Sequence, residues 1–152
     1  MMKFTLWAYV CIVNHVTSDL AYIRSNYEVA VADKKVCKEM LHKLNKSKLS
    51  NVQLAYLGGF QTIWANHTFN PLTKLSTFKK GKANIDRAIL NDQDNIETRF
   101  IRLSVQKNCP RFLGYFKNIQ EDELYLSKHI AKVNDKDLKN MINKILKVAT
   151  VN

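Results

Sequence analysis

The most informative segment of the chain is residues 52–66, which read VQLAYLGGFQTIWAN. Drawn as a helix, this segment carries apolar side chains on nearly every side, which is typical of a helix at the centre of a domain. Gly58 and Gly59 would weaken an isolated helix. We therefore interpret them as sites of close backbone approach, with a break at Gly58 as the alternative.

Apolar residues recur at helical spacing on both sides of this segment. The first predicted helix runs from Asp19 through Ala30 along one apolar face. Asp33 and Asp135 are suited to begin two others, because a short carboxylate side chain accepts from the free amides of a first turn. Pro71 fits a first helical position, and Pro110 ends a helix at Cys109.

These patterns predict an all-α fold of about six to seven helices in antiparallel hairpins. Asp92 or Asp94 is expected to cap the helix that carries Ile96 and Phe100. Glycine (4) and proline (2) are too scarce for the many turns of a β-sandwich. No low-complexity linker interrupts the pattern, so we expect one domain.

The N-terminus has the layout of a secretory signal. Lys3 supplies a positive charge, Phe4–Val13 is a mostly apolar run without charge, and cleavage after Ser18 would leave modest side chains at the recognition positions. The alternative is a short buried N-terminal helix or strand. The preferred interpretation is a signal peptide at residues 1–18 and one α-helical domain at 19–152, in a secreted or periplasmic protein. The run Phe4–Val13 is not expected to cross a membrane, because ten residues are about half the length that a span requires. We expect no transmembrane segment in the mature chain either.

Residues 88–95, which read AILNDQDN, resemble the end of the second helix of a tetratricopeptide repeat, where Ala-Ile-x-x-Asp-Pro-x-Asn is typical. Gly81 and Ile85 match the small and bulky positions before it, and Gln93 replaces the proline. The likeness covers about half a repeat, and no 34-residue period recurs elsewhere. It implies a TPR-like right-handed helical array.

A broader resemblance links the chain to a group of small exported helical bacterial proteins of unknown function. It rests on the segments 70–75 (NPLTKL), 95–102 (NIETRFIR) and 109–115 (CPRFLGY), and covers most of residues 19–130. The resemblance implies export and a helical fold. It implies no activity, ligand or catalytic residue.

The residue pattern predicts no catalytic or metal site and no cofactor. The sequence contains none of the usual motifs for zinc hydrolysis, thiol redox chemistry, nucleotide binding or serine nucleophiles. Residues 121–123 (Glu-Asp-Glu) are interpreted as complements to a helix dipole rather than as an acid–base pair, because consecutive residues point in different directions. Cys37 and Cys109 can form a disulfide or remain buried thiols.

Aromatic residues near two loops suggest a ligand groove between helix pairs, with packing of the core and loops as the alternative. The loops are those of Trp64, His67 and Phe69 and of residues 112–116. Arg99, Arg102 and Gln106 recur on one helix face near this groove and are suited to hold an anion, with a solvated face as the alternative. The candidate ligand-binding residues are Trp64, His67, Arg99, Arg102, Gln106 and Tyr115.

The formal net charge of +11, from 24 basic and 13 acidic residues, favours anionic partners. We expect a non-enzymatic exported helical protein that binds or scaffolds a protein or peptide partner, and an anionic envelope component is a second possible partner. Nucleic acid is not expected, because no nucleic-acid motif accompanies the lysines. Two alternatives remain: a cytoplasmic basic helical protein that binds nucleic acid, and a small enzyme with a spatially assembled site.

Overall fold

The computed structural model describes residues 19–45 and 48–150, and every regular element in these two ranges is helical. The helices are α1 (19–27), α2 (Val29–Ala32), α3 (Lys34–Leu44), α4 (Asn51–Asn66), α5 (Pro71–Asn91), α6 (Ile96–Asn108), α7 (Ile119–His129) and α8 (Lys136–Lys147). Short 3₁₀ turns lie at Arg111–Leu113 and Ile130–Lys132. The predicted all-α, single-domain fold is confirmed. The predicted signal peptide falls on residues 1–18, outside the described ranges, and stays a prediction.

Local capping explains where most helices begin. The Asp33 side chain accepts from the amides of Lys35 and Val36, and the Asp135 side chain accepts from the amide of Leu138. Asn70 accepts from two amides of α5, with Pro71 in the first turn. These starts agree with the sequence, since side-chain caps act within a few residues.

Two boundaries differ from the prediction. Asn95, rather than Asp92 or Asp94, caps α6, because its Oδ1 accepts from the amides of Glu97 and Thr98. Asp92 instead ends α5. The predicted first helix is interrupted by a turn at Glu28, which raises the number of helices in the described ranges to eight.

The central position of α4 is confirmed. It packs against α3, α5 and α6, and ten of its sixteen residues are buried. The helix is continuous through Gly58 and Gly59. A Cβ on Gly58 would lie 2.5 Å from the carbonyl oxygen of Gly81 in α5, and a Cβ on Gly59 would lie 2.7 Å from the Tyr27 ring. Both glycines are therefore sites of close approach.

Long-range contacts establish two antiparallel hairpins. In the first, Asn51 at the start of α4 is hydrogen-bonded to Asn91 at the end of α5. In the second, Gln106 near the end of α6 is hydrogen-bonded to Asn118, just before α7. The predicted hairpin construction is thus present, whereas the right-handed TPR-like stacking stays a prediction.

Buried ionic groups hold the other helices to this centre. Arg24 of α1 forms a bidentate salt bridge with Glu97 of α6, with N–O distances of 2.6 and 2.7 Å. The Tyr56 hydroxyl of α4 donates to the same carboxylate at 2.8 Å. Arg24 also reaches Asp135, the cap of α8, at 2.9 Å. One guanidinium therefore connects α1, α6 and the start of α8, and Tyr56 joins α4 to it.

The far end of α8 is held by a buried lysine. Lys107 of α6 is 2% exposed, and its Nζ donates to the carbonyl oxygens of Ile145 and Val148 at 3.0 and 2.7 Å. It also pairs with Glu123 of α7 at 2.6 Å. A cation placed against the last carbonyls of a helix satisfies them and complements the helix dipole.

Candidate functional site

A cleft of about 900 Å³ opens between the end of α4, the start of α5, α6, the Arg111–Leu113 turn and α8. Its inner walls are buried apolar side chains from these helices: Ile63, Phe78, Phe100, Val105, Met141 and Ile145. Apolar residues that remain exposed stand nearer the opening: Val31, Leu75, Phe112 and Val148. The cleft therefore offers a ligand a largely apolar surface.

Two breaks in helical structure shape this opening. Pro110 follows the end of α6, and the Arg111–Leu113 turn ends at Gly114, whose φ of 68° suits glycine. The reversal leaves the Phe112 side chain 86% exposed at the cleft edge. Across the cleft, Asn70 and Pro71 restart the chain as α5, which contributes Lys74, Leu75 and Phe78 to the lining at helical spacing.

The three hydroxyl groups that line the cleft are already hydrogen-bonded. Thr62 donates to the carbonyl of Gly59, and Ser104 donates to the carbonyl of Ile101 and shares a 2.9 Å hydrogen bond with the Tyr27 hydroxyl. Burial raises the pKa of Tyr27 to about 12 and outweighs the Ser104 hydrogen bond. Tyr27 thus stays protonated at neutral pH.

Charged groups lie at the margin of the cleft. Lys144 forms an exposed pair with Glu28 at 2.8 Å, and Lys74 extends from the first turns of α5. The amide groups of Asn66 and Asn108 also line the cleft. An apolar ligand with polar or acidic flanks would meet complementary groups here.

Two of the predicted ligand residues, Arg99 and Arg102, lie elsewhere, around the carboxylate of Asp122. Arg102 contacts both oxygens of Asp122 at 2.6 and 2.7 Å, and Arg99 contacts Asp122 at 3.0 Å and Glu121 at 2.8 Å. The Asp122 side chain is fully buried. Burial acts to lower the pKa of both arginines, but their hydrogen bonds to carboxylates prevail and the pKa of each is raised.

Gln106 and Tyr115 lie beside Arg102. All three line a small polar pocket of about 290 Å³. Gln106 is 1% exposed, and its Oε1 has no hydrogen-bond partner within the described ranges. Tyr115 donates to Asp86 at 2.8 Å, and burial, reinforced by that carboxylate, raises the pKa of Tyr115. Arg102, Gln106 and Tyr115 therefore share one pocket, and the guanidinium groups of Arg99 and Arg102 are both engaged by carboxylates. A ligand-binding role for these residues stays a prediction.

Trp64 and His67 do not join that group. The Trp64 ring lies under the Nζ of Lys34, 5.3 Å from its centroid, and packs near the His67 ring. His67 Nε2 lies 2.9 Å from the carbonyl oxygen of Ala30. These contacts attach the end of α4 to α2 and α3. The large cleft is lined instead by Ala65 and Asn66, the two residues between them.

A groove is predicted beside residues 112–116, and Phe112 and Leu113 do line the cleft. The inner wall of the cleft, which includes Val105, Met141 and Ile145, was not predicted. These residues carry only the periodic apolar pattern of any core-facing helix. No signal in the sequence separates a core position from a cleft position. Residues 121–123 lie at the start of α7 as expected, but their pairing with α6 was not foreseen.

Both described cysteines are free buried thiols rather than a disulfide. Cys37 donates to the carbonyl of Phe60, and Cys109 donates to that of Tyr115. Burial raises the pKa of Cys37 to about 12 and also raises the pKa of Cys109. Within residues 19–45 and 48–150, no three histidine, cysteine or acidic side chains group as metal ligands.

None of the helices in the described ranges combines the length and apolar character needed to cross a membrane. No protein-family model matches the chain, and neither the curated proteins nor the solved structures contain a significant match to it. The resemblance to tetratricopeptide repeats and the resemblance to exported helical proteins therefore both stay predictions.

Proposed function

We propose that the protein is an exported, non-enzymatic binding protein whose large apolar cleft takes an apolar segment of a protein or peptide partner. The observation that carries the proposal is the cleft itself. Its volume of about 900 Å³ lies within the range of roughly 300–1,000 Å³ usual for ligand sites. Covering this exposed apolar surface with a partner would lower the free energy of the system.

The form of the cleft suits a short helical segment. A helix that docks in a groove presents anchors at positions i, i+3 or i+4, and i+7, and their apolar side chains are buried. Phe78, Val105 and Met141 would contact such anchors. The amides of Asn66 and Asn108 offer hydrogen bonds to polar groups of the bound segment. A purely hydrocarbon ligand would not use them.

The charged residues at the margin of the cleft indicate which charge the partner carries. Lys74 lines the start of α5, and Lys144 lines the α8 side of the opening. Acidic residues flanking the apolar anchors would complement Lys74, since Lys144 already pairs with Glu28, and would speed association with a protein of net charge +11. We therefore expect an amphipathic segment with acidic flanks.

Two features of the cleft support binding rather than catalysis. The thiol of Cys109 donates to a backbone carbonyl, and burial raises its pKa, which disfavours the nucleophilic thiolate. Glu28 and Lys144 are committed to an exposed ion pair with each other. Neither arrangement prepares a group for proton transfer.

A titration of labelled peptide tests the proposal. The probe is an amphipathic helical peptide with leucines at i, i+3, i+4 and i+7 and glutamates at both ends, followed by fluorescence anisotropy. Leu75→Glu places a carboxylate at the half-open wall of the cleft and should weaken binding at least about tenfold. Leu124→Glu, at an exposed position of α7, is the matched control, and this variant should bind the peptide as the parent does. Equal peptide affinity of the two variants would show that the cleft is not the binding site.

Export is tested separately, by the intact mass of the protein recovered from each cell fraction of its host. A mass beginning at Asp19 outside the cytoplasm is the expected result. Recovery in the cytoplasm with Met1 or Met2 retained would exclude cleavage after Ser18 and would revive the nucleic-acid alternative.

A further inference from the structure

Exposed apolar side chains lie at the opening of the cleft and in the segment just before Leu75. We define the apolar lip as Phe69, Leu72, Leu75 and Phe112. Phe69 is 97% exposed, Phe112 86% and Leu72 80%. We propose that the apolar lip, with the basic residues beside it, docks on an anionic lipid surface.

Two of the four residues line the cleft, and the other two lie close to one of them in the chain. Leu75 and Phe112 both line the cleft, from α5 and from the Arg111–Leu113 turn. Leu72 lies three residues before Leu75, and side chains three apart lie on the same face of a helix. Phe69 is in the loop that leads into α5, two residues before Pro71, which also lines the cleft. Leu75 and Phe112 thus border the opening from two sides, and Phe69 and Leu72 extend the exposed apolar surface along the chain next to Leu75.

Nothing within the described ranges covers the tips of these side chains. An exposed cluster of large apolar residues beside charged ones marks a surface that another body covers. The nearly complete exposure of Phe69 and Phe112 means that both rings stand away from the protein. Projecting rings suit the interfacial region of a lipid bilayer, where apolar side chains insert to a depth of about 5–10 Å. They suit a flat protein surface less well.

The charge around the lip has the sign that anionic headgroups require. Lys74 and Arg111 are exposed next to Leu75 and Phe112 in the chain. Residues 40–85, which include Phe69, Leu72 and Leu75, contain seven lysines and no aspartate or glutamate. Each basic side chain near an anionic membrane contributes about 1 kcal/mol, or roughly fivefold in affinity.

Cosedimentation of the full chain with vesicles tests the inference. The vesicles contain phosphatidylcholine with about one third phosphatidylglycerol, and pure phosphatidylcholine vesicles serve as the uncharged comparison. We expect binding to the anionic vesicles that falls as salt rises, because salt screens exposed charges. Equal binding to both vesicle types would overturn the electrostatic part of the inference.

A matched pair of leucines isolates the lip. Leu72 and Leu90 are both exposed on α5, at 80% and 72%, and lie about 27 Å apart along the helix at 1.5 Å per residue. Leu72→Ser and Phe112→Ser should each weaken binding about tenfold, the effect of withdrawing one large side chain from lipid. Leu90→Ser should leave binding unchanged. All variants carry the same residues 1–18, so any contribution of that segment is common to them.

The outcomes separate this inference from the proposed function. If Leu72→Ser and Phe112→Ser bind vesicles as Leu90→Ser does, the lip is not a lipid-docking surface. Lys74→Gln and Arg111→Gln should each weaken vesicle binding about fivefold. Lys128→Gln, at an exposed position of α7, should leave vesicle binding unchanged. Peptide binding is measured without vesicles, so its absence alongside lip-dependent vesicle binding would overturn the proposed function alone.

Discussion

Gly58 and Gly81 face each other across the α4–α5 hairpin with no room for a side chain between them. A Cβ on Gly58 would lie 2.5 Å from the carbonyl oxygen of Gly81, and a Cβ on Gly81 would lie 2.6 Å from that of Gly58. The relationship is reciprocal and involves backbone on both sides. The two longest helices of the described ranges therefore pack at a distance that only glycine permits at these positions.

Gly58→Ala and Gly81→Ala should each destabilise the protein. Alanine improves intrinsic helix propensity by about 1 kcal/mol, but overpacking against an immobile carbonyl costs typically about 1–3 kcal/mol and should exceed that gain. Urea unfolding measures the difference. For comparison, Gly114→Ala meets no atom within 4 Å, so its cost should come only from the positive φ. A rise in stability for either helical variant would contradict the close packing.

The carboxylate of Asp122 should be the most sensitive ionic group of the α6–α7 hairpin. Asp122→Asn leaves Arg99 and Arg102 without their fully buried counter-charge, and breaking such a pair from one side costs about 3–5 kcal/mol. Glu121→Gln removes a carboxylate that is more than half exposed and should cost at most about 1 kcal/mol. Comparable losses of unfolding free energy for the two variants would contradict the difference in burial.

Glu121 should nevertheless contribute to the pH dependence of stability. Hydrogen bonds from Arg99 and then Asn118 hold the pKa of Glu121 below its ordinary value of 4.5. A lowered folded pKa gives a contribution that is complete above about pH 4.5 and is lost as pH falls through the folded value. Unfolding free energies measured from pH 6 down to about pH 3 should therefore decline less in Glu121→Gln than in the parent. A steeper decline in the variant would reverse the sign of this linkage.

The two described thiols should be unreactive in the folded protein. Burial raises the pKa of Cys37 to about 12 and raises that of Cys109, so little thiolate forms at pH 8. In a Cys11→Ser background, a maleimide should label neither residue until denaturant is added, after which it should label both. Mass spectrometry counts the labels. Rapid native labelling of Cys37 would show that α3 opens locally.

Local signals were sufficient to predict where most of the helices begin. Asp33, Asp135 and the pair Asn70-Pro71 act on amides within three residues, so their effect can be seen in the sequence itself. The same short-range logic failed between α5 and α6, where three neighbouring residues are all suitable caps. Only the turn of the chain there selects Asn95.

The candidate sites depended on contacts between distant parts of the chain. Arg99 and Arg102 were identified as polar residues on one helix face, but the sequence could not show that a carboxylate twenty residues away would bind both. Nothing in the sequence distinguishes Lys107 from a solvated lysine. Its burial follows only from the packing of the end of α8 against α6. The position of a charged group along a helix predicts its face, but not which helix will cover that face.

The sequence by itself determined the class of fold and the close approach at the two glycines of α4, because helical periodicity, caps and glycines act over one or two turns. Only the tertiary structure decided which apolar residues close into the core and which surround an open cleft. Ile85 and Leu75 follow the same periodic pattern on α5, yet Ile85 is fully buried and Leu75 borders the cleft. The difference arises because α4 covers Ile85 from the Gly58 side, whereas the Arg111–Leu113 turn leaves the cleft open beside Leu75.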